Sequence, residues 1–306
     1  MNDKLPNITE KESAAAAGID LPRLEKSLRS PRTLFSATMS LIVGAMTLFA
    51  VVPLFSVLIM LAWKGGKRLS IALFTDLPPA AGMVGGGIGN ALLGSLLVVA
   101  LATLISVPLG ILGGVFLAEI SPSSRVASAV RFCAKMLTGL PSILAGVFAY
   151  TAVVVVTGRF SPLAGGVALA ILMLPIILLT AEEAIRMVPA RMREAAIGMG
   201  ATQTQVTLRV LLPTAYPGIL TGVLLAISRA AGETAPLLFT MTFSDYWLSH
   251  KVMEPTASLA VLIYSFSKSP FENQQEIAWA ASLVLVLFVL ALNLGGQALS
   301  RRGNRK

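Results

Sequence analysis

The sequence predicts an all-α polytopic membrane protein with six transmembrane helices, and two observations carry that expectation. The 306 residues are 55% hydrophobic but only 13% charged, with mean hydropathy +0.80, whereas soluble domains carry about 25% charge. The apolar residues also fall into separate runs of bilayer length, divided by short stretches rich in Lys, Arg, Gly and Pro.

Residues 1–32 read as a polar cytoplasmic tail, with a short helix expected near Leu21–Leu28. The first apolar run, 33–63, starts too late and is too long for a signal peptide. Since about 20 apolar residues cross a bilayer, it predicts the first span. Residues 64–88 follow as an outer loop, with Pro78-Pro79 and a glycine run at Gly85–Gly87 that suggests a hinge. The run Gly85–Gly89 is not a G-x-G-x-x-G fingerprint, because Asn90 stands at its last required position.

Five more runs, 90–117, 132–156, 162–180, 215–239 and 277–299, predict a five-helix core within 89–299. In the second of these, Gly139, Pro141 and Gly146 predict a kinked or broken helix. Residues 300–306 form a basic end.

Positive charge sets the expected orientation. Seventeen Lys and Arg residues fall in the tail, the C-terminus and the alternate loops with their margins; six fall on the other side, and Arg229 falls deep inside a run. The positive-inside rule then places both termini and the stretch 189–213 on the cytoplasmic side of the membrane. The net charge of +9 is assigned to these loops and to anionic lipid headgroups, not to nucleic acid.

The chemistry the chain could perform is limited by what it contains. One cysteine, Cys133, excludes an internal disulfide and is expected to pack within a helix; one histidine, His250, in a polar loop argues against a metal site. No lysine stands in a G-K-[ST] context, so there is no P-loop. If ATP drives this chain, another subunit hydrolyses it.

Between the fourth and fifth runs lies the polar elbow 189–213, P-A-R-M-R-E-A-A-I-G-M-G-A-T-Q-T-Q-V-T-L-R-V-L-L-P. Pro189 suits a first helical position, Gly200 is placed to end that helix, and Thr202 with Gln205 has capping-box spacing for a second short helix. Pro213 opens the next apolar run. Ala195 and Ala196 would offer a flat docking surface, and Arg191, Arg193 and Glu194 would set its register electrostatically. A loop that merely joins two spans is the plain alternative.

The elbow's Glu194-Ala195-Ala196, with Gly200 and Val210-x-Leu212-Pro213 at fixed distances, resembles the E-A-A loop of ABC importer permeases. Val210 stands where isoleucine is more usual. The resemblance implies that the first short helix docks in a groove of a cytoplasmic ATPase.

Inside the fifth run, Arg229 and Glu233 lie four residues apart, on one face if the helix is continuous. An ionised group at the bilayer centre costs roughly 2.5–3.5 kcal/mol on insertion scales, so such residues face a partner or a wet cavity. Either the two neutralise each other and pin helix packing, or Arg229 lines an anion path that Glu233 tempers. Arginine suits oxyanions because its planar fork donates two parallel hydrogen bonds and stays charged. Ala230, Ala231 and Gly232 leave room for a substrate or for close helix contact.

The string S-R-A-A-G-E-T-A-P-L-L-F-T, with F-T-D-L-P-P and G-G-G-I-G-N-A-L-L-G-S before it and S-P-F-E-N-Q-Q-E-I-A-W-A after it, resembles the A-type permeases of phosphate-specific ABC transporters. That resemblance implies a type I ABC importer permease fold and no catalysis in this chain. It also implies a C-type permease partner, two copies of a nucleotide-binding subunit holding ATP and Mg, and a periplasmic phosphate-binding protein. Arg229 and Glu233 match positions along the phosphate path. One position departs from the pattern: Leu179 stands where an arginine usually precedes T-T-E. Glu182 and Glu183 beside it are expected at a solvated helix end.

Sulfate, molybdate or phosphonate would also suit one arginine. An ion-coupled carrier or channel would leave the elbow unexplained and shows no evident inverted repeat. A membrane-embedded enzyme would need a cluster of titratable side chains. The aromatic residues of 241–276, Trp247 and Tyr264 among them, fit either an interfacial belt or a contact for a binding protein.

Overall fold

A computed structural model describes residues 31–248 and 252–303. His250 and the helix expected near Leu21–Leu28 lie outside these. The chain divides into two units, 1–58 and 59–306. The described part of the first unit is a single helix. This helix, α1 (Pro31–Gly66), is apolar throughout apart from its ends and continues through Pro53 into the second unit.

The second unit holds a short α2 (Ile71–Thr75), α3 (Gly89–Ile120), α4 (Arg125–Thr138), α5 (Ser142–Thr157), α6 (Pro162–Arg186), α7 (Ala190–Gly198), α8 (Gln203–Ala231), α9 (Ala235–Thr240), α10 (Leu259–Ser267) and α11 (Glu272–Gly303). Five helices, α1, α3, α6, α8 and α11, are long and apolar enough to cross a membrane; α4 with α5 makes a sixth crossing if the bent pair counts as one.

That pair turns through 107°. Gly139 ends α4, and Pro141, which has no N–H to donate, follows after one residue. The predicted break is therefore sharp. Its first limb is an amphipathic helix carrying Arg125, Arg131 and Lys135, and Ser124 caps it by accepting a hydrogen bond from the Ala127 amide. Cys133 is exposed on α4 rather than packed, because the inward face there belongs to Ala127 and Ala134.

The core is built around α6. Ser161 caps it, Pro162 occupies its first turn, and 61% of its apolar span is buried. Small residues let its neighbours come close. A Cβ on Gly110 would stand 2.7 Å from Ile177, and one on Gly114 would stand 2.6 Å from Ala181, so α3 and α6 run parallel with backbones nearly touching. On another side Gly218 lies against Ala184 and Gly222 against Thr180, which makes α8 antiparallel to α6.

The two ends of α3 define the poles of this bundle. At the start, the Asn90 amide donates to the Ser244 and Tyr246 carbonyls. At the end, Glu119 reaches the elbow. In the glycine run before α3, Gly86 and Gly87 are packed, a Cβ on Gly87 meeting the Leu73 carbonyl oxygen at 2.5 Å, whereas a Cβ on Gly85 would meet nothing within 4 Å.

Candidate functional site

The elbow forms where the sequence places it. Its first helix, α7, begins at Ala190, with Pro189 as the non-helical residue before it (ψ 132°) rather than the first helical one. At its other end Gly200 adopts φ +85°. The Gly200 amide donates to the Ile197 carbonyl and the Ala201 amide to the Ala196 carbonyl, the double bond that closes a helix through a left-handed residue. Thr202 and Gln205 then form the capping box in both directions.

The second helix is not a separate short one. It runs without interruption from Gln203 to Ala231, so the elbow's second limb is the start of a membrane span. A wide π turn at Thr207–Leu211 precedes Pro213. Proline cannot donate to the turn below it, and a π segment is one way a helix absorbs that missing bond.

Of the elbow residues singled out above, Arg191, Glu194 and Ala195 are exposed. Ala196 is buried against the chain's own Ala118, Val206 and Leu211, so the paired alanines do not present one flat outward face. Arg193 also turns inward and pairs with Glu119, whose side chain is only 1% exposed. Gln203 donates to the other oxygen of the same carboxylate at 3.4 Å. Sequence reasoning passed over Met192, Ile197 and Met199, which are exposed on the elbow. The available signal was three large apolar residues in an otherwise polar, basic stretch.

A second buried carboxylate lies nearby. Glu182 is not solvated: its side chain is 8% exposed and accepts from Arg131 Nε at 2.6 Å and Arg186 at 2.8 Å. Arg131 also donates to the Leu117 carbonyl at 2.8 Å. The close approach of α3 turns Glu182 inward, while Glu183, one residue round the helix, is exposed as expected. Leu179 lines a cavity of about 480 Å³ with Arg131, Lys135, Glu182, Glu183 and Arg186. The arginine missing at position 179 thus has three cationic neighbours from α4 and α6.

The intramembrane pair is brought together, although not by a continuous helix. The run 215–239 contains a break: α8 ends at Ala231, Gly232 follows it, and α9 starts at Ala235. Arg229 therefore sits in the last turn of a helix, where carbonyls with no helical partner favour a cation. The Glu233 amide still bonds the Ala230 carbonyl at 3.1 Å, which folds its carboxylate back to 3.7 Å from Arg229 Nε. Arg229 is 49% exposed at its side chain and Glu233 18%.

Depth follows from the register of α8 on α6. Counting on from Gly218 at Ala184 and Gly222 at Thr180, Arg229 falls level with Met173, beside the midpoint of Pro162–Arg186. A helix that stops at mid-bundle with a charge in its last turn is a recognised way of presenting polar groups at membrane depth. Next to it Gly146 of α5 lies against the Pro236 backbone, with 2.6 Å to a built Cβ, which fixes α9 beside the break.

A profile of the family described as "Binding-protein-dependent transport system inner membrane component" matches residues 110–305. The chain belongs to this family. It is therefore a multi-pass inner-membrane component rather than a catalytic subunit. Phosphate transport system permease protein PstA of Yersinia pestis is 43% identical over 82% of this chain and 84% of its own length. The protein of the same name from Haemophilus influenzae is 44% identical over 78% and 84%. An archaeal relative, "Probable phosphate transport system permease protein PstA" of Methanocaldococcus jannaschii, is 38% identical over 82% and 88%.

Solved structures agree on the fold, that of type I ABC importer permeases. A chain of the bacterial alginate ABC transporter superposes with TM-score 0.63 at 15% identity, over 89% of this chain and 98% of that one. A chain of the MetNI methionine ABC transporter, in an inward-facing conformation, gives 0.56 at 20%, over 71% and 94%.

Proposed function

We propose that this chain is one of two membrane subunits of an ATP-driven phosphate importer. The observation that carries this reading is the open Arg229–Glu233 pair at a mid-bundle helix break, in a chain 43% identical to a PstA permease over four fifths of its length. Arg229 donates to phosphate oxygens through its planar fork. Glu233 competes for the same guanidinium, so the anion is held weakly enough to leave.

The polar elbow fits a docking point for a cytoplasmic nucleotide-binding subunit, which would hold ATP and Mg and would be present in two copies. Arg191, Glu194 and Ala195 with Met192, Ile197 and Met199 form its exposed surface; Gly200 sets the turn, and Pro213 lies where the second limb enters the apolar run. Arg193 and Ala196 act from the inner side, by fixing the elbow to the bundle. Both termini face the cytoplasm in this reading. A C-type permease supplies the other half of the path, and a periplasmic phosphate-binding protein delivers the substrate.

The test is uptake of radiolabelled phosphate into proteoliposomes containing the whole complex, with and without ATP inside, and with sulfate as competitor. ATP-dependent uptake that excess sulfate leaves unchanged is the expected result. Competition by sulfate would move the substrate to another oxyanion, and uptake without the ATPase subunits would overturn the reading.

A further inference from the structure

We propose that Glu119 is the point at which elbow movement is handed to the transmembrane bundle. This inference rests on the importer reading above. Glu119 sits in the π turn that ends α3, Phe116–Ile120, and its carboxylate lies in the crook of the elbow. Arg193 reaches it from the limb before Gly200, and Gln203 reaches it from the limb after. One buried carboxylate therefore holds both limbs. Among the described residues no other ion pair joins α7 to the bundle.

The chemistry suits a link that persists through movement. A carboxylate only 1% exposed has little access to water in place of its partner, so losing Arg193 would leave a buried charge unpaired. Arg193 Nε is buried, but the Arg193 side chain as a whole is 40% exposed, so Glu119 is the partner that loses most if the pair opens. Gly200 supplies the complementary freedom, since nothing lies within 4 Å of where its Cβ would be. The elbow can flex at Gly200 while both limbs stay attached to Glu119.

What Glu119 moves is equally defined. It terminates α3, and α3 is locked to α6 through the contacts of Gly110 and Gly114 with Ile177 and Ala181. In turn α6 is in register with α8, at whose end Arg229 stands. A displacement at the elbow thus enters the bundle through α3, in addition to α8, which is covalently continuous with the second limb. Two attachments allow the elbow to rotate α3 relative to α8, whereas one would only translate the pair.

Glu119 is accordingly a positioning residue, and its test is a ratio rather than an activity. The full complex is reconstituted in proteoliposomes, and phosphate imported per ATP hydrolysed is measured for wild type, E119Q, R193Q, Q203A and the exchanged pair E119R/R193E. A coupling free energy of ordinary size corresponds to about a tenfold loss, and that fall in the ratio is expected for E119Q and R193Q. Recovery is expected in the exchanged pair. Q203A, which removes only the longer bond from an exposed side chain and strands no charge, should lower the ratio about twofold, the size of one weak hydrogen bond.

An unchanged ratio in Q203A and in whatever complex assembles from E119Q would overturn the proposal and leave Glu119 as packing. Wild-type complex that hydrolyses ATP without importing phosphate would instead overturn the importer reading, and this inference with it.

Discussion

The two Arg–Glu pairs of this chain, Arg193–Glu119 and Arg229–Glu233, use the same chemistry in opposite surroundings. The first joins residues 74 apart in sequence around a carboxylate that is 1% exposed; the second joins neighbours four apart, at 3.7 Å, around a carboxylate that is 18% exposed, while both guanidinia are partly open. The first is anchored at a buried carboxylate next to Ala118, which belongs to one apolar cluster with Ala196, Val206 and Leu211. The second stands where the main chain stops being helical, so no further turn of helix covers it. A sealed pair holds elements together, and an open, slack pair can exchange one partner for a ligand.

The comparison can be broken by removing one partner from each. Arg193→Leu leaves the buried Glu119 carboxylate unpaired, a change that typically costs about 3–5 kcal/mol. The solubilised protein should melt at a clearly lower temperature; an unaltered melting curve would show that the pair is not sealed. Arg229→Ala should do the reverse. Membrane insertion and melting stay near wild type, while phosphate uptake falls about 100-fold or more, the scale of truncating one side of a charge pair that a ligand uses. Wild-type uptake in both Arg229→Ala and Glu233→Ala vesicles would sink the path assignment.

Smaller changes sharpen the picture at the elbow. Gly200→Val forces a β-branched residue to φ +85°, at a cost of about 1–2 kcal/mol. The variant should insert, yet transport slowly for the ATP it turns over. Co-purification with the ATPase and normal transport would overturn this. Thr202→Ala removes one capping hydrogen bond and should cost about 1 kcal/mol or less, visible as faster amide hydrogen exchange at Gln203–Gln205 and little else.

Much of this was legible in the sequence because it is local. The left-handed Gly200 and the Thr202–Gln205 box depend on residues within one turn, and backbone chemistry decides them wherever the elbow sits. The sealed pair was not legible, because Arg193 meets Glu119 only after α3 and α6 pack, and position along the chain says nothing of that. Glu182 was misread for the same reason: its partner Arg131 is 51 residues away. The break at Gly232 escaped notice because hydropathy through 215–239 is continuous, and glycine within an apolar run predicts close packing as readily as a helix end. The place of Arg229 inside the apolar run was legible, and the register of α8 on α6 sets it level with Met173.

Gly200 has one more consequence. Because nothing lies within 4 Å of where an L side chain would begin, the objection to any other L residue there is one of handedness and not of bulk. A D-alanine introduced at position 200 by semisynthesis would carry the same methyl group as L-alanine and meet no backbone strain, so the two mirror-image substituents should behave differently although their volumes are identical. The elbow would then be set by the stereochemistry of a single carbon atom.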